Sequence, residues 1–396
     1  MSAPNEIPQQ PQLSATATRD AWRLRMFSFA FYTVMAVVVS YFPLYFYDRG
    51  YSEQQVGILY SIGPSVSIFA NLIMGLASDK YRTIRKLLTL LLAGQLIMIA
   101  LLLPVSHFVL VCFIMGGFYF FQTPVNSLND SLILLSEPHT GRRYPSIRIF
   151  GSIGFSVAAL LIGQFMQNSG SGLGSTMYIA MGSIVAALVL SLLLRDYHGS
   201  LRKMEFSGFF MLIRKPQIVV FFLLILVLSV AHRMNEGFLA IIMRQMGASE
   251  SMIGTAWMIS SASEIPVLYL LGKYGHRFKE LPLLAFAGVA YALRFWLLSI
   301  ATAPEWMVLI QGMHSITFGV FFSTALRYLS VLIPDEYRSS GQAVYAVVWT
   351  GFAGLLAGTV GGFVIEQHGP TLFFQAGMTF SLFAAAGFLV KHLRSR

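Results

Sequence analysis

The chain carries twelve apolar runs, each close to the length a helix needs to cross a bilayer, with little sequence between them. They fall near 24–47, 55–78, 87–105, 107–135, 146–167, 175–194, 217–243, 251–272, 281–301, 305–334, 339–365 and 370–391. About 20 residues of helix span the hydrocarbon, and a helix satisfies its own backbone hydrogen bonds there. The expected fold is therefore an all-α integral membrane protein of twelve transmembrane helices. Composition points the same way: 56% of the residues are hydrophobic and 11% charged, whereas soluble domains carry about 25% charged residues. The single Cys112 excludes a disulfide framework and a multi-cysteine metal site.

Residues 1–23 are polar and rich in Pro, Gln, Ser and Thr, without the apolar core of a signal peptide. They read as a disordered cytosolic tail. The net charge of +10 is unevenly placed. Of the basic residues, Arg49 and Arg244 fall on one side; Arg148, Arg233, Arg294 and Arg327 fall inside spans. The others lie in the tails and in the loops of the opposite side, including Lys80, Arg82, Arg85, Lys86, Arg142 and Arg143. By the positive-inside rule that side is cytoplasmic, with both termini on it. The charge is thus expected to face anionic membrane lipids rather than nucleic acid.

Internal repetition comes next. "GYSEQQVG" at 50–57 and "GASESMIG" at 247–254 align at one constant offset, pairing Gly50 with Gly247, Ser52 with Ser249, Glu53 with Glu250 and Gly57 with Gly254. "GQFMQNSG" at 163–170 echoes "GFVIEQHG" at 362–369. Two pseudo-symmetric six-helix bundles, 24–194 and 217–396, joined by a cytosolic linker at 195–216, form a transporter pattern.

The loop "GLASDKYRTIRK" resembles that between spans 2 and 3 of the major facilitator superfamily, with Gly75, Asp79, Lys80 and Arg85 matching and Arg82 where a second glycine is usual. "PVNSLNDSLILL", "YPSIRIFGSIGF" and "SEIPVLYLLGK" resemble the phenylpropionate permease branch, a relative of the lactose permeases. The resemblance implies the superfamily fold, monomeric alternating-access transport in a bacterial inner membrane, and gating contacts at Asp79 and Lys80. It also implies a histidine matching His232 and a glutamate matching Glu264.

Charged residues inside a membrane are candidate functional groups. Asp130 near the end of span 4 and Arg148 near the start of span 5 are placed to pair as a clamp, a gate or a substrate contact. In "AHRMNEGF", His232, Asn235 and Glu236 share one helix face, so His232 and Glu236 are proton-coupling candidates, as is Asp130. Glu264 stands mid-span and is the fourth; without a cavity it is expected to pair with Arg294 or Arg233. Arg294 and Arg327 suit a substrate carboxylate, with neutralising an embedded acid as the alternative. Asn126 and Asn129 offer hydrogen bonds to a substrate or between helices. Tyr32 and Trp257 either line a cavity or pack.

No phosphate-binding loop, H-E-x-x-H pair or cysteine cluster occurs. The expectation is a non-enzymatic transporter without a cofactor, coupled to protons and moving a small organic solute. The resemblance favours an aromatic carboxylate; sugar or nucleoside symport, or proton-driven export, is the alternative.

Overall fold

The computed structural model describes residues 15–170, 172–197, 214–334 and 338–394; the side chains of Asp79, Gly272, His276 and residues 338–340 lie outside the described part. Most of the expected tail and linker, at 1–14 and 198–213, also lies outside it.

The helices in chain order are α1 (Ala15–Asp48), α2 (Glu53–Tyr81), α3 (Arg85–Leu102), α4 (Phe108–Thr140), α5 (Tyr144–Asn168) and α6 (Thr176–Leu192). After the linker come α7 (Pro216–Gln245), α8 (Glu250–Tyr274) and α9 (Glu280–Ser299). Helix α10 (Pro304–Leu332) passes through a 3-10 turn and a π-helical segment, Ser315–Gly319. Helix α11 (338–368) contains a second π segment, Val347–Phe352. Gly369, at φ 77° and ψ 176°, breaks the helical run before α12 (370–394). The chain folds back there, since a side chain added at Gly361 would meet Phe373 at 3.3 Å.

The first helix corrects one expectation. Residues 15–23, assigned to a disordered tail, already belong to α1. Ala17, Asp20 and Ala21 are buried, so packing extends the helix beyond the apolar run. At 34 residues it is about 50 Å long, more than the hydrocarbon requires.

The sequence repeat has a physical meaning. Gly50 and Gly247 both take φ 88°, the left-handed turn that ends one helix. Two residues on, Ser52 caps α2 by accepting the Gln55 N–H at 3.3 Å, and Ser249 caps α8 by accepting the Met252 N–H at 3.3 Å. Glu53 and Glu250 then place an acid in each first turn, where the helix dipole favours it. Each copy is therefore a turn, a cap and a helix start.

The last glycine of each copy sits where the halves meet. A Cβ on Gly57 would lie 2.2 Å from the Gly358 carbonyl oxygen; one on Gly254 would lie 2.2 Å from that of Ala159. The α2–α11 and α5–α8 crossings are thus two matching backbone-to-backbone seams. Further links gather at the same end. Gln245 Nε2 donates to Glu53 at 2.7 Å and to the Tyr47 hydroxyl at 3.1 Å. The Gln54 N–H donates to Glu366 at 2.8 Å. Among the described residues, hydrogen bonds between the halves lie at the level of Tyr60 and Glu236 or nearer this glycine-turn end. These links and the two seams close the molecule at that end.

Candidate functional site

Halfway along the bundle, the two halves present different chemistry to the space between them. In the first half, Arg148 on α5 lies 3.3 Å from Asp130 on α4, Nε to Oδ1. The contact is electrostatic but poorly aligned, because that Asp130 oxygen makes no hydrogen bond. The guanidinium sits over the Tyr32 ring at 4.2 Å. Gly151, one turn along α5, makes room: a Cβ there would fall 2.6 Å from the tyrosine ring and 2.9 Å from Arg148 Nη1. Tyr32 in turn donates to Asn126 Oδ1 at 2.5 Å, and Ser127 donates to Asn71 at 2.6 Å. Asn126 and Ser127 stay exposed although their partners come from inside the bundle. Accessible space therefore reaches this level.

Asn129 differs from its neighbour. It is fully buried and exchanges hydrogen bonds with Ser28 at 3.3 Å, so it joins α1 to α4 and does not reach the open space. Trp257 is also buried, edge-on to Phe155 across the α5–α8 seam. Its indole nitrogen is unpartnered.

The second half carries a layered polar cluster. Glu264 on α8 is partly accessible, at 22% of its side chain, and lies 2.9 Å from His314 Nε2. Behind the imidazole, Arg294 Nη1 stands 3.1 Å from His314 Nδ1 and 3.2 Å from the Thr317 hydroxyl. Its Nη2 donates to Gln311, which also accepts from Ser260 at 3.2 Å. Arg294 is 1% exposed. No carboxylate bonds to it among the described residues; neutral oxygens and an imidazole hold the cation. The expected Glu264–Arg294 or Glu264–Arg233 pair is not formed, because His314 takes the position between Glu264 and Arg294.

This geometry fixes the histidine tautomer. A guanidinium only donates, so Nδ1 facing Arg294 must accept; the ring proton is then on Nε2 and points at Glu264.

A second acid, Glu236, joins the same cluster through His232, whose ring lies 5.6 Å from that of His314. Arg233 Nη1 lies 2.5 Å from Glu236 Oε2 on the next turn of α7, and Arg233 stacks on Trp349 at 5.3 Å. Its Nη2 donates to Thr350 at 3.4 Å. Tyr60 of the first half donates to Glu236 at 3.3 Å, so this cluster touches both halves. His232, buried behind, stands 3.0 Å from the Tyr291 hydroxyl and 3.9 Å from Glu236. Phe318 stacks on His232 and on His314, at 4.9 Å and 5.1 Å between centroids.

Both π segments frame this cluster. Ser315–Gly319 follows His314 and carries Thr317 and Phe318, while Val347–Phe352 carries Trp349 and Thr350. Such bulges re-aim side chains and recur at functional sites.

Residues 21–376 match one family, described as the MFS_1 like family. The chain belongs to that family. Among its relatives, the uncharacterized transporter YwbF of Bacillus subtilis is 25% identical over 86% of this chain and 84% of its own length. The maltose permease of Geobacillus stearothermophilus is 27% identical, covering 80% of each chain. The probable 3-phenylpropionic acid transporter of Escherichia coli is 24% identical over 87% of this chain and 91% of that one. Among solved structures, the nucleoside transporter NupG superposes with a TM-score of 0.81, 17% identity, and coverage of 94% of this chain and 98% of that one. This member of the MFS_1 like family is accordingly a multi-pass membrane transporter and not an enzyme.

Other expected site residues fall outside the central cluster. Arg327 lies near the basic end of α10, bound to Glu280 at 3.0 Å and donating to the Phe278 carbonyl at 3.0 Å. It is a brace between α9 and α10, not a midplane substrate contact; its place near the helix end explains why. Lys80 is exposed, with its ammonium over the Tyr81 ring at 5.6 Å. The side chain of Asp79 is outside the described residues. Arg82, where the family resemblance led us to expect glycine, takes the left-handed φ of 50°.

Sequence reasoning missed Tyr60, Tyr291, Gln311, Thr317, Trp349 and Thr350. Apart from the embedded charges they serve, no sequence pattern marked them.

Proposed function

We propose that this transporter couples proton movement to uptake of a small organic solute across a bacterial inner membrane, by alternating access, with its basic end in the cytoplasm. One observation supports the reading: Glu264, a partly exposed carboxylate, is backed by His314, whose Nδ1 faces the buried donor Arg294. On this reading Glu264 is the group that carries the proton. Loading it would remove the charge that receives the His314 N–H, weakening the link between α8 and α10. Proton occupancy would thereby alter the packing of the second half.

Across the space, Arg148 offers a guanidinium whose present acid partner is poorly aligned, beside the Tyr32 ring. That combination suits an aromatic carboxylate: the acid group on Arg148 and the ring against Tyr32. The relative named for 3-phenylpropionic acid supports this choice. A nucleoside is the second reading, favoured by the exposed amide and hydroxyl of Asn126 and Ser127 and by the fold shared with NupG. With the seams closed at the glycine-turn end, the state described here would face the cytoplasm.

The test is uptake into proteoliposomes of labelled 3-phenylpropionate, uridine and maltose under an imposed pH gradient. Accumulation should require the gradient and be lost in Glu264→Gln, while exchange of solute without net proton movement persists. Gradient-independent accumulation, or wild-type accumulation by Glu264→Gln, would overturn proton coupling. Preferential uptake of uridine would replace the substrate assignment and leave the coupling intact.

A further inference from the structure

We propose that the basic end holds a specific site for an anionic phospholipid headgroup, built by Arg25, Trp22, Phe150 and Arg142 where α1 meets α5. The Arg25 guanidinium lies 5.0 Å from the Trp22 ring and 5.1 Å from the Phe150 ring, and those rings meet edge-on at 5.8 Å. An arginine held between two aromatic rings is fixed in direction, with its hydrogen-bonding edge left free.

Arg25 bonds to no carboxylate among the described residues, and its buried Nε has no hydrogen-bond partner. The nearby acids are committed elsewhere. Asp20 lies 3.3 Å from Arg23 and 3.8 Å from Arg195. The Glu137 carboxylate accepts the Tyr144 N–H. Arg142, in the loop that leads into α5, is a second cation near Arg25. Neither Arg25 nor Arg142 forms an ion pair with a carboxylate among the described residues, although acids are within the same region.

The surroundings point to a lipid rather than a soluble anion. Trp22 is 48% exposed, and Ile149 and Ile153 on α5 are exposed beside it. An exposed tryptophan next to exposed aliphatic side chains sits at the boundary of headgroups and acyl chains. The start of α5 adds its own positive end, as no side chain caps it through Arg143. A phosphate placed there would meet Arg25, Arg142 and the helix start together, with acyl chains running along Ile149 and Ile153.

Native mass spectrometry of the detergent-purified full-length protein, titrated with phosphatidylglycerol or phosphatidylcholine, tests the site. We expect retained phosphatidylglycerol to exceed phosphatidylcholine, and Arg25→Gln or Arg142→Gln each to lower its occupancy about fivefold, given roughly 1 kcal/mol per basic residue near a charged membrane. Lys86→Gln, at an exposed basic position on α3, should leave it unchanged. Thermal unfolding of each variant without lipid checks that it is folded, and Trp22→Phe should keep most of the binding. Equal loss in Lys86→Gln would show a diffuse surface effect and overturn the proposal. So would unchanged occupancy in folded Arg25→Gln, or full displacement by millimolar inorganic phosphate, which would mark a soluble-anion site.

Discussion

The two halves repeat each other at their seams but differ at their centres. The first half offers one accessible ion pair, Asp130 and Arg148, with a tyrosine ring and amides beside it. The second half offers two acids in front, two histidines and an arginine behind, and a π segment on each of two helices. The repeat is kept where the molecule is closed and lost at the centres; on the function proposed above, one centre recognises the solute and the other carries the proton. A sparse face suits exchange of a ligand; a cross-braced one suits holding a charge in a fixed relation to its neighbours.

The largest expected effect comes from exchanging damage between the faces. Arg148→Gln should weaken substrate affinity by about 10-fold to 100-fold, the worth of a charge-assisted hydrogen bond, while a proton-dependent conformational change remains. Glu264→Gln should do the reverse, keeping affinity within about threefold while concentrative uptake disappears; affinity read by thermal shift and uptake in vesicles separates them. If both variants lose both properties, the division between halves is wrong. Asp130→Arg with Arg148→Asp should regain thermal stability lost in either single change, without regaining affinity, since the cation then stands on α4.

Next in size are the seams. Gly57→Leu and Gly254→Leu each force a side chain into backbone already in contact, at a cost of about 1–3 kcal/mol to the closed arrangement. Each should favour opening at the glycine-turn end by about tenfold, read as faster labelling of a Ser251→Cys reporter by an impermeant maleimide. Equal effects from the two changes would show that the seams remain equivalent despite the divergence between centres.

A subtler effect is expected at Arg294. Arg294→Gln removes the obligate donor facing His314 Nδ1, so the imidazole becomes able to take a proton. Uptake plotted against pH should then acquire a second titration that wild type lacks. A profile unchanged in shape would mean that the arginine does not set the tautomer.

The smallest effect concerns Glu366, past the apolar run of α11. Hydrogen bonds from Ser52 and the Gln54 N–H lower its pKa below the ordinary 4.5. A lowered folded value means that the contact is fully present above the ordinary value and is lost as pH falls through the depressed one. Acid on the glycine-turn side should therefore loosen this inter-half contact slightly, raising labelling at Ser251→Cys as the pH falls below the ordinary carboxylate value, a step absent from Glu366→Gln.

The sequence made the spans, the repeat and the Asp130–Arg148 neighbourhood readable because these depend on run length, identity at a fixed offset and distance from a shared surface. It did not reveal what His314 does. That role depends on the rotation of α8, α9 and α10 about their axes, and the π segment changes the rotation of α10 just beyond His314. The same limit misplaced Arg327: apolar residues around it suggested depth, but its partners Glu280 and Phe278 stand at the mouth of the bundle. Asn126 and Asn129 are a finer case. Three residues apart on α4, one faces the accessible space and the other locks to Ser28, and no composition rule separates them.

The seams have one more consequence. Gly57 against Gly358 and Gly254 against Ala159 bring main chain against main chain, with few side chains (Phe238, Ser61 and Tyr41) beside the points of closest approach. If the proposed cycle opens the molecule at this end, little side-chain repacking is needed along those lines, because most of what separates there is backbone.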